Sequence, residues 1–427
     1  MEKFVIEGGR RLSGSLTPGG NKNEALPALA ATLLTAEPVI LRNVPRIRDV
    51  DVMCTVLEHL GATVEWLSHN EVRICAANVN ADGLDPELCR RVRASILFAG
   101  PMVARFGRVS LPPPGGDVIG RRRVDTHFQI LQALGAEVTI DRAYDIKATK
   151  LKGADIMLDE ASVTATENAL MAAAMTPGVT ILRNAASEPH VCGLARMLQA
   201  MGAEISGVGS NTLTIHGVSQ LKGCDHTIES DYLEIGSFVG LAAVTDSDLT
   251  IERVAPEHLR MIRMTFEKLG VHTVIEGNRL RVPPGQAKEI RQDMHGHVPK
   301  IDDAPWPAFP TDLMSIVITV ATQCKGTVLF FEKMFEGRMF FVDHLQNMGA
   351  QIILCDPHRV VVVGPTMLRG SRVASPDVRA GMALLIAALA AEGETEMYNI
   401  LQIDRGYERV DEKLRGLGAQ IQRLPVD

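Results

Sequence analysis

One short pattern of apolar and small residues recurs six times along the 427-residue chain, at intervals of about 70 residues. Each copy is an apolar residue, a glycine and, in five copies, an alanine; the glycines are Gly61, Gly135, Gly202, Gly270, Gly349 and Gly418. Apolar positions three and four residues apart precede the glycine, as Met53, Val56 and Leu60 do, and an alternating stretch follows it. The pattern predicts a helix that stops at a glycine and a strand after it.

A second predicted helix lies upstream in each copy and is followed by a strand. Examples are residues 24–34, 168–174, 311–322 and 380–391. These segments are rich in alanine and leucine on all sides, so they should be buried, and Pro27 should fall in the first turn of its helix. The sequence therefore predicts an α/β fold built from βαβαββ repeats, with the sheets outside and the helices inside.

The six repeats are predicted to divide into two domains of three, because a chain of this length exceeds one ordinary core. The boundaries predicted are residues 21–229 for the first domain and residues 1–20 plus 230–427 for the second. The N-terminal strand has no repeat of its own and is expected to complete a sheet of the second domain. A continuous solenoid is the alternative, but no polar end caps mark it.

Composition narrows the class of protein. The net charge is −7, so a nucleic-acid partner is not expected, and an anionic ligand must be held by local arginines. The seven cysteines are scattered without a C-x-x-C pair, which is typical of reduced thiols and not of a zinc site. There is no signal-peptide core and no apolar run of membrane-spanning length, so we expect a cytoplasmic protein without membrane insertion.

The stretch Leu111–His127, LPPPGGDVIGRRRVDTH, brings an acid and three arginines together on a loop shaped by glycine and proline. Asp117 is the acid, and the run Arg121–Arg123 follows it within six residues. Loops of this kind often carry function, although a surface turn with solvated charges is the simpler interpretation of the stretch alone.

Two further clusters are basic. Lys22 and Asn23 follow Gly19-Gly20 at the start of the first buried helix, where free N–H groups and the helix dipole favour an anion. In the run CRRVRASI, Arg90 and Arg93 are predicted to share one helix face, and Arg93 is the better ligand candidate because it borders the apolar run.

Three charged residues stand at predicted helix starts in the C-terminal half. Asp312 is a candidate general base or, alternatively, a helix N-cap. Arg379 and Arg405 are candidates for bidentate binding of phosphate or carboxylate, or for simple ion pairs with their neighbours Asp377 and Asp404. Met334, in FEKMFEGR, follows a strand and could equally be core packing.

Seven motifs in order resemble the UDP-N-acetylglucosamine 1-carboxyvinyltransferase family, over essentially the whole chain. They are GNKNEALP, VRASI, PGGDVIGRRRVDTH, FPTDL, MFEGR, DVRAG and IDRGYER. The resemblance implies two inside-out α/β domains of three repeats each, with the active-site cleft between them. It also implies transfer of the enolpyruvyl group of phosphoenolpyruvate to the 3-hydroxyl of UDP-N-acetylglucosamine, with release of phosphate and without a metal or other cofactor.

Roles for individual residues follow from the same resemblance. It makes Asp117, Asp312, Lys22 and Arg405 catalytic. It assigns phosphoenolpyruvate to Lys22, Asn23, Arg122, Arg379 and Arg405. It assigns the UDP-sugar to Asn23, Arg93, Arg122, Arg123, Val124, Asp125, Thr126, Ser162, Val163, Asp312 and Met334. Within the arginine run only Arg122 aligns with the arginine of the family.

The chain departs from the family pattern at three positions. Asp117 stands where most members have the cysteine that fosfomycin alkylates, and a carboxyl acting there as an acid needs a raised pKa, which bound anions would favour. Glu160 replaces a basic residue of some relatives, and Tyr232 stands where many have arginine. Two other functions are considered: a 3-phosphoshikimate 1-carboxyvinyltransferase, against which the loop with Arg122 and Asp125 argues, and a non-catalytic UDP-sugar sensor.

Overall fold

The computed structural model describes residues 2–116, 119–120, 122 to 426 of the chain. The helices α1 to α13 span Lys22–Ala31, Arg48–His59, Pro86–Cys89, Ala99–Phe106, Asp125–Ala133, Val163–Ala174, Pro189–Ala200, Tyr232–Val244, Arg260–Lys268, Met314–Ala321, Val342–Asn347, Val378–Ala390 and Val410–Gly416. Short 3₁₀ helices span Thr32–Leu34, Arg93–Phe98, Pro256–Leu259, Met294–Gly296, Thr311–Leu313, Arg338–Phe341 and Ile400–Arg405.

The strands β1 to β12 span Glu2–Glu7, Ser13–Leu16, Val39–Arg42, Thr63–Ser68, Glu71–Cys75, Arg108–Leu111, Glu137–Ile140, Tyr144–Lys147, Asp155–Met157, Val179–Arg183, Glu204–Ser206 and Thr212–His216. The strands β13 to β23 span Asp225–Thr227, Asp248–Ile251, Val274–Glu276, Arg279–Val282, Lys300–Asp302, Gly326–Phe331, Gln351–Asp356, Arg359–Gly364, Arg372–Ala374, Glu394–Tyr398 and Gln420–Pro425. Within the part of the chain that the structure describes, no helix has the length and apolar character needed to span a membrane.

The chain forms two compact units. The first unit contains residues 20–116 and 123–229; the second contains residues 2–19 and 230–426 together with Ile119, Gly120 and Arg122. The sequence-based boundaries run through the same connections but assign these three loop residues to the first domain. They group with the second unit because the N–H of Gly337 donates to the carbonyl of Ile119 over 2.9 Å.

Three sheets surround the helices of each unit. In the first unit their strand orders are β13-β3-β5-β4, β6-β8-β7 and β11-β12-β10-β9. In the second unit they are β15-β16-β14-β2, β17-β18-β20-β19 and β21-β22-β1-β23. Strand β1 lies antiparallel between β22 and β23, and β2 runs parallel to β14, so the N-terminal segment supplies strands to two sheets of the second unit.

The buried helices pack on one another inside each ring of sheets. Helices α8, α10 and α12 contact each other in the second unit, and α4 and α1 contact α6 in the first. Each unit has its own cluster of buried apolar side chains. The six repeat glycines all have positive φ, between 74° and 107°. The predicted fold, with repeated units, glycine helix stops and internal helices, is therefore confirmed.

Two local predictions were wrong. Helix α1 begins at Lys22, so Pro27 lies in its second turn, where it has no N–H to give to the carbonyl of Asn23. Arg90 and Arg93 do not share a helix face, because Arg90 is the C-cap residue after helix α3 and the extended backbone of Val92 separates it from the 3₁₀ helix that starts at Arg93.

Candidate active site

Lys22 is fixed at the start of helix α1. The Asn21 side chain caps the helix by accepting a hydrogen bond from the N–H of Glu24 over 3.1 Å. The Lys22 ammonium lies 2.6 Å from the carboxylate of buried Asp49, and its own side chain is only 11% exposed. A side chain at Gly20 would overlap the carbonyl of Asn43, so the turn needs glycine there. The cation is thus held rigidly at a helix N-terminus, where a bound anion is favoured.

Buried Asn168 joins two segments of the first unit that carry predicted UDP-sugar residues. Its side-chain oxygen accepts from the N–H of Gly100 over 2.7 Å, and its amide nitrogen donates to the carbonyl of Ile96 over 2.9 Å. The same amide lies 2.8 Å from Nδ1 of His127. Asn168 on helix α6 therefore ties the 3₁₀ helix of Arg93 to helix α5, which begins at Asp125.

His127 completes this connection as a neutral side chain. Because Asn168 donates to Nδ1, the ring hydrogen resides on Nε2 and is donated to Oγ1 of Thr164 over 3.1 Å. Burial, assisted by the charge of Arg93, lowers the pKa of His127 to about 3. Ser162 and Val163 immediately precede Thr164, so His127 also positions the start of helix α6.

Asp159 organises the end of the loop that carries the arginines. Its carboxylate accepts from Oγ1 of Thr126 over 2.8 Å and from Arg123 over 3.2 Å. Arg123 also pairs with Asp125 over 2.7 Å, and its carbonyl accepts a 3.2 Å bond from Arg93. The predicted residues Arg93, Arg123, Asp125 and Thr126 are therefore brought together.

Helices α5 and α6 both begin at predicted UDP-sugar residues. Val124 immediately precedes the first residue of α5, and Ser162 caps α6 by accepting from the N–H of Ala165 over 3.4 Å. Glu160, which replaces a basic residue of some relatives, lies on the turn before this cap. N–H groups at the starts of helices are able to bind phosphate oxygens.

Asp312 is the centre of the charged cluster in the second unit. Its two carboxylate oxygens lie 2.9 Å from Nη2 of Arg338 and 3.2 Å from Nε of Arg379. Burial alone would raise the pKa of Asp312, but Arg379, Arg338 and Arg122 hold it well below its ordinary value. The carboxylate is ionised and 27% exposed. Its side chain makes no helix-capping bond, so the N-cap alternative does not hold.

Arg379 is buried in the second residue of helix α12. Asp377 caps the helix by accepting from the N–H groups of Arg379 and Ala380. The guanidinium lies 5.4 Å from the ring centre of buried Tyr407. Burial would lower its pKa, yet Tyr407, Asp312 and Asp231 raise it, so that Arg379 stays charged.

Phe335 places two arginines near Asp312. The guanidinium carbons of Arg338 and Arg122 lie 5.3 Å and 5.9 Å from the centre of its ring. The backbone reaches this place because Gly120 passes directly against Glu336, where a side chain on the glycine would meet the carboxylate at 2.3 Å. Three arginines thus concentrate positive charge around one carboxylate.

Met334 and Arg405 are two further predicted site residues in the second unit. Met334 is 39% exposed and its N–H donates to buried Glu332 over 3.0 Å, so it is not core packing. Arg405 ends a 3₁₀ helix and donates to Gln402 over 3.0 Å. Its neighbour Asp404 forms a two-point pair with Arg423, at 2.8 Å and 2.9 Å.

Sequence reasoning missed four residues that organise this site. They are Asn168, Asp159, Arg338 and Glu332. Arg338 lies in the FEGR motif, so the sequence shows an arginine at this position but does not show that it pairs with Asp312.

Asp117, the predicted acid, lies outside the described residues. In the part of the chain that the structure describes, no group of three or more His, Cys, Asp or Glu side chains is placed to hold a metal ion.

Solved structures share this fold along the whole chain. The enolpyruvyl transferase NikO from Streptomyces tendae has a TM-score of 0.89 at 24% identity, with 100% of this chain and 99% of that chain covered. An EPSP synthase from Acinetobacter baumannii has a TM-score of 0.75 at 17% identity and covers both chains completely. The architecture is therefore that of an enolpyruvyl transferase.

Sequence relatives define the family. The profile of the EPSP synthase (3-phosphoshikimate 1-carboxyvinyltransferase) family matches residues 6–414. The UDP-N-acetylglucosamine 1-carboxyvinyltransferase of Bradyrhizobium diazoefficiens is 58% identical over 99% of this chain and 98% of its own. The enzymes of that name from Treponema denticola and Borreliella burgdorferi are 54% and 51% identical, over 99% of both chains in each case. The chain belongs to the UDP-N-acetylglucosamine 1-carboxyvinyltransferase family.

Proposed function

We propose that the protein transfers the enolpyruvyl group of phosphoenolpyruvate to the 3-hydroxyl of UDP-N-acetylglucosamine and releases phosphate. This reaction would be the first committed step of peptidoglycan synthesis, and we propose that it takes place in the cytoplasm. The observation that supports this function most is the ionised Asp312 carboxylate held between Arg338 and Arg379, in a chain 58% identical to an enzyme of that name. A carboxylate and fixed cations are what the addition and the elimination require.

The donor is proposed to bind to the cations. Phosphoenolpyruvate carries a phosphate and a carboxylate, and guanidinium groups match both with paired N–H donors. We assign it to Arg122, Arg379 and Arg405, together with Lys22 and Asn23. Arg379 is pre-oriented for this task by burial against Tyr407, so little side-chain freedom is lost when an anion binds.

Asp312 is proposed to be the base for the sugar hydroxyl. Paired with two arginines it is a weak base, since both guanidinium groups stabilise its charged form. An anionic donor that takes hydrogen bonds from Arg379 would weaken one of these pairs and raise the basicity of Asp312. The base would then be activated only when a donor is present for the sugar hydroxyl to attack.

The two steps balance without a further reactant. In the addition, the sugar oxygen bonds to carbon 2 of phosphoenolpyruvate, carbon 3 gains a proton, and Asp312 takes the hydroxyl proton. In the elimination, carbon 3 of the tetrahedral phospho-ketal loses a proton, the electrons of that bond form the double bond between carbons 2 and 3, and the bond from carbon 2 to the phosphate oxygen breaks with phosphate as the leaving group. The charge on phosphate shifts in both steps, and the arginines are proposed to stabilise it.

The acceptor is proposed to bind to the first unit's loop and helix starts. The residues assigned are Asn23, Arg93, Arg123, Val124, Asp125, Thr126, Ser162 and Val163, with Arg122, Asp312 and Met334 from the second unit. The N-termini of α5 and α6 suit the diphosphate, because their N–H groups compensate for the acidic Glu160. The hydrogen bonds of Asn168 and His127 would keep these segments in one arrangement.

Phosphate release tests the function directly. Purified protein is expected to release phosphate from phosphoenolpyruvate when UDP-N-acetylglucosamine is supplied, and not when 3-phosphoshikimate replaces it. Phosphate release from phosphoenolpyruvate with 3-phosphoshikimate as the acceptor, and not with UDP-N-acetylglucosamine, would identify a 3-phosphoshikimate 1-carboxyvinyltransferase. Binding of the UDP-sugar without phosphate release would identify a sensor, and either result would refute the proposal.

Asp117 is proposed, from the family resemblance, to deliver the proton to carbon 3. Asp117→Ala should then lower kcat about a hundredfold or more, while the dissociation constant of the UDP-sugar, measured by calorimetry, stays within about threefold. Unchanged steady-state phosphate release would refute the acid role.

The same position predicts the response to fosfomycin, an electrophile that alkylates a thiolate. A carboxylate is a poor target, so the wild-type protein should show no time-dependent loss of activity with fosfomycin. Asp117→Cys is the matched comparison: it should keep turnover and become inactivated with time, because a cysteine thiolate is strongly nucleophilic. Time-dependent inactivation of the wild type would contradict the resistance prediction.

A further inference from the structure

Glu332 is a fully buried carboxyl group that follows strand β18 and binds two segments of the candidate site. Its Oε1 atom accepts from the N–H groups of Met334 and Phe335 over 3.0 Å and 3.1 Å. The hydroxyl of Thr311, the residue before Asp312, donates to it over 2.9 Å. One side chain therefore fixes both the turn that carries Met334 and the segment that carries Asp312.

A second buried carboxyl group accompanies it. Asp303 is fully buried, accepts from the N–H of Lys333 over 2.6 Å, and raises the pKa of Glu332 through the interaction between the two carboxyl groups. Two carboxyl groups can form a hydrogen bond only if one of them holds a proton, because a carboxylate has no donor. A proton held by Glu332 would therefore join the two groups and leave the pair with one negative charge.

Arg338 connects this pair to Asp312. Its side chain is 4% exposed, its Nη2 lies 2.9 Å from Asp312, and its Nε lies 3.7 Å from Oε2 of Glu332. Arg338 is therefore directed toward Asp312 and lies beside Glu332 at a longer distance.

We propose that Glu332 is a positioning residue for the transfer reaction, which holds the Met334 turn and, through Arg338 and Thr311, sets the geometry of the base Asp312. This inference rests on the proposed function. Glu332 does not touch substrate; it acts by keeping one proton between itself and Asp303. Loss of that proton would place a second negative charge beside Arg338 and weaken its hold on Asp312.

The surroundings set the pH range of this effect. The titratable and charged groups on the elements around Glu332 are Asp302, Asp303, Asp312, Lys333, Arg338 and His358, whose Nδ1 bonds to the Glu332 carbonyl over 2.7 Å. Burial, then the hydrogen bond with Asp303, raise the pKa of Glu332 to about 8. Below this pH the pair keeps its proton, and above it the proton is lost.

Two substitutions separate positioning from packing. Glu332→Gln imitates the protonated form, because its amide oxygen accepts from the two N–H groups and its NH₂ donates to Asp303. It should keep kcat and the KM for the UDP-sugar within about threefold of wild type at neutral pH. Glu332→Ala removes all these bonds and should raise KM and lower kcat, with a loss in kcat/KM of about a hundredfold.

The pH profile is the decisive measurement. Wild-type kcat should fall as pH rises through about 8, and Glu332→Gln should lack this fall, since its amide does not titrate. Asp411→Asn is the control: Asp411 is also a buried acid paired with an arginine, Arg423, and its variant should keep the wild-type profile.

Each outcome decides. An alkaline fall in Glu332→Gln equal to that of wild type would overturn the inference, and so would a Glu332→Ala variant with kcat and KM within about twofold of wild type. If Glu332→Ala does not fold, the Glu332→Gln profile alone decides. Wild-type protein without phosphate release would overturn the proposed function and this inference with it, whereas an active wild type with unaffected variants overturns the inference alone.

Discussion

Replacing Arg379 with alanine is expected to lower kcat/KM for phosphoenolpyruvate by about ten-thousandfold, the largest effect of any single change at this site. The guanidinium pairs with Asp312 over 3.2 Å and is proposed to hold the phosphate or carboxylate of the donor. Its removal takes away a donor-binding cation and one of the two groups that orient the base. Steady-state phosphate release at several donor concentrations measures both effects.

Stability should fall with activity, because Asp231, Asp312 and Tyr407 lose the cation that they face. Burial raises the pKa of Asp231 to about 6 even with Arg379 beside it, and Asp312 and Tyr407 also face the guanidinium. Removing one partner of a buried ion pair usually costs about 3 to 5 kcal/mol. The free energy of unfolding from urea titration should show a loss of this size.

A matched pair of variants separates chemistry from folding. Arg379→Lys keeps the charge but offers no planar two-point contact, so it should recover much of the stability and little of the activity. Arg263→Ala removes an arginine of the same unit that bonds only to Thr273 among the contacts described, and it should leave kcat/KM within about twofold. Full activity in Arg379→Lys would contradict the two-point role.

The fold was predictable because its signals are local. The end of a helix at each of the six repeat glycines can be recognised from one residue, and the buried helices can be recognised as runs of alanine and leucine. The errors were also local in origin. Arg90 and Arg93 are three residues apart, but the extended Val92 between two short helices breaks the face they would share. Spacing alone does not reveal such a break.

The partners within the site were not predictable, because they join distant segments. Asp312 and Arg379 were each identified by motif, yet they are 67 residues apart and nothing in either motif indicates that they pair. Glu332 stands between apolar and basic residues and has no pattern that marks a buried carboxyl. Its hydrogen bonds to Thr311 and to the Met334 turn exist only in the folded unit. Periodicity predicts elements, whereas pairing of buried charges requires their three-dimensional positions.

The Asp312→Asn variant is expected to lose about a thousandfold in kcat, because an amide has the same shape but does not accept the sugar proton. Binding should survive. The substitution leaves Arg379 and Arg338 without their shared counter-ion, so the site becomes more positive and should bind phosphoenolpyruvate at least as tightly as wild type. Single-turnover phosphate release measures the loss in the rate of the transfer, and calorimetry with the UDP-sugar present measures the affinity for phosphoenolpyruvate.

This combination of results distinguishes a base from a structural carboxylate. If Asp312 only neutralised two buried arginines, the asparagine variant would lose stability and donor specificity, while kcat at saturating substrate would change by about threefold or less. Asp248→Asn provides the comparison, since both carboxylate oxygens of Asp248 also pair with arginine nitrogens, here those of Arg281 at the exposed surface of the same unit. It should change neither quantity, because surface ion pairs contribute only about 0 to 1 kcal/mol. Weaker donor binding with near-normal kcat in Asp312→Asn would assign the proton to another group and leave Asp312 as a counter-ion.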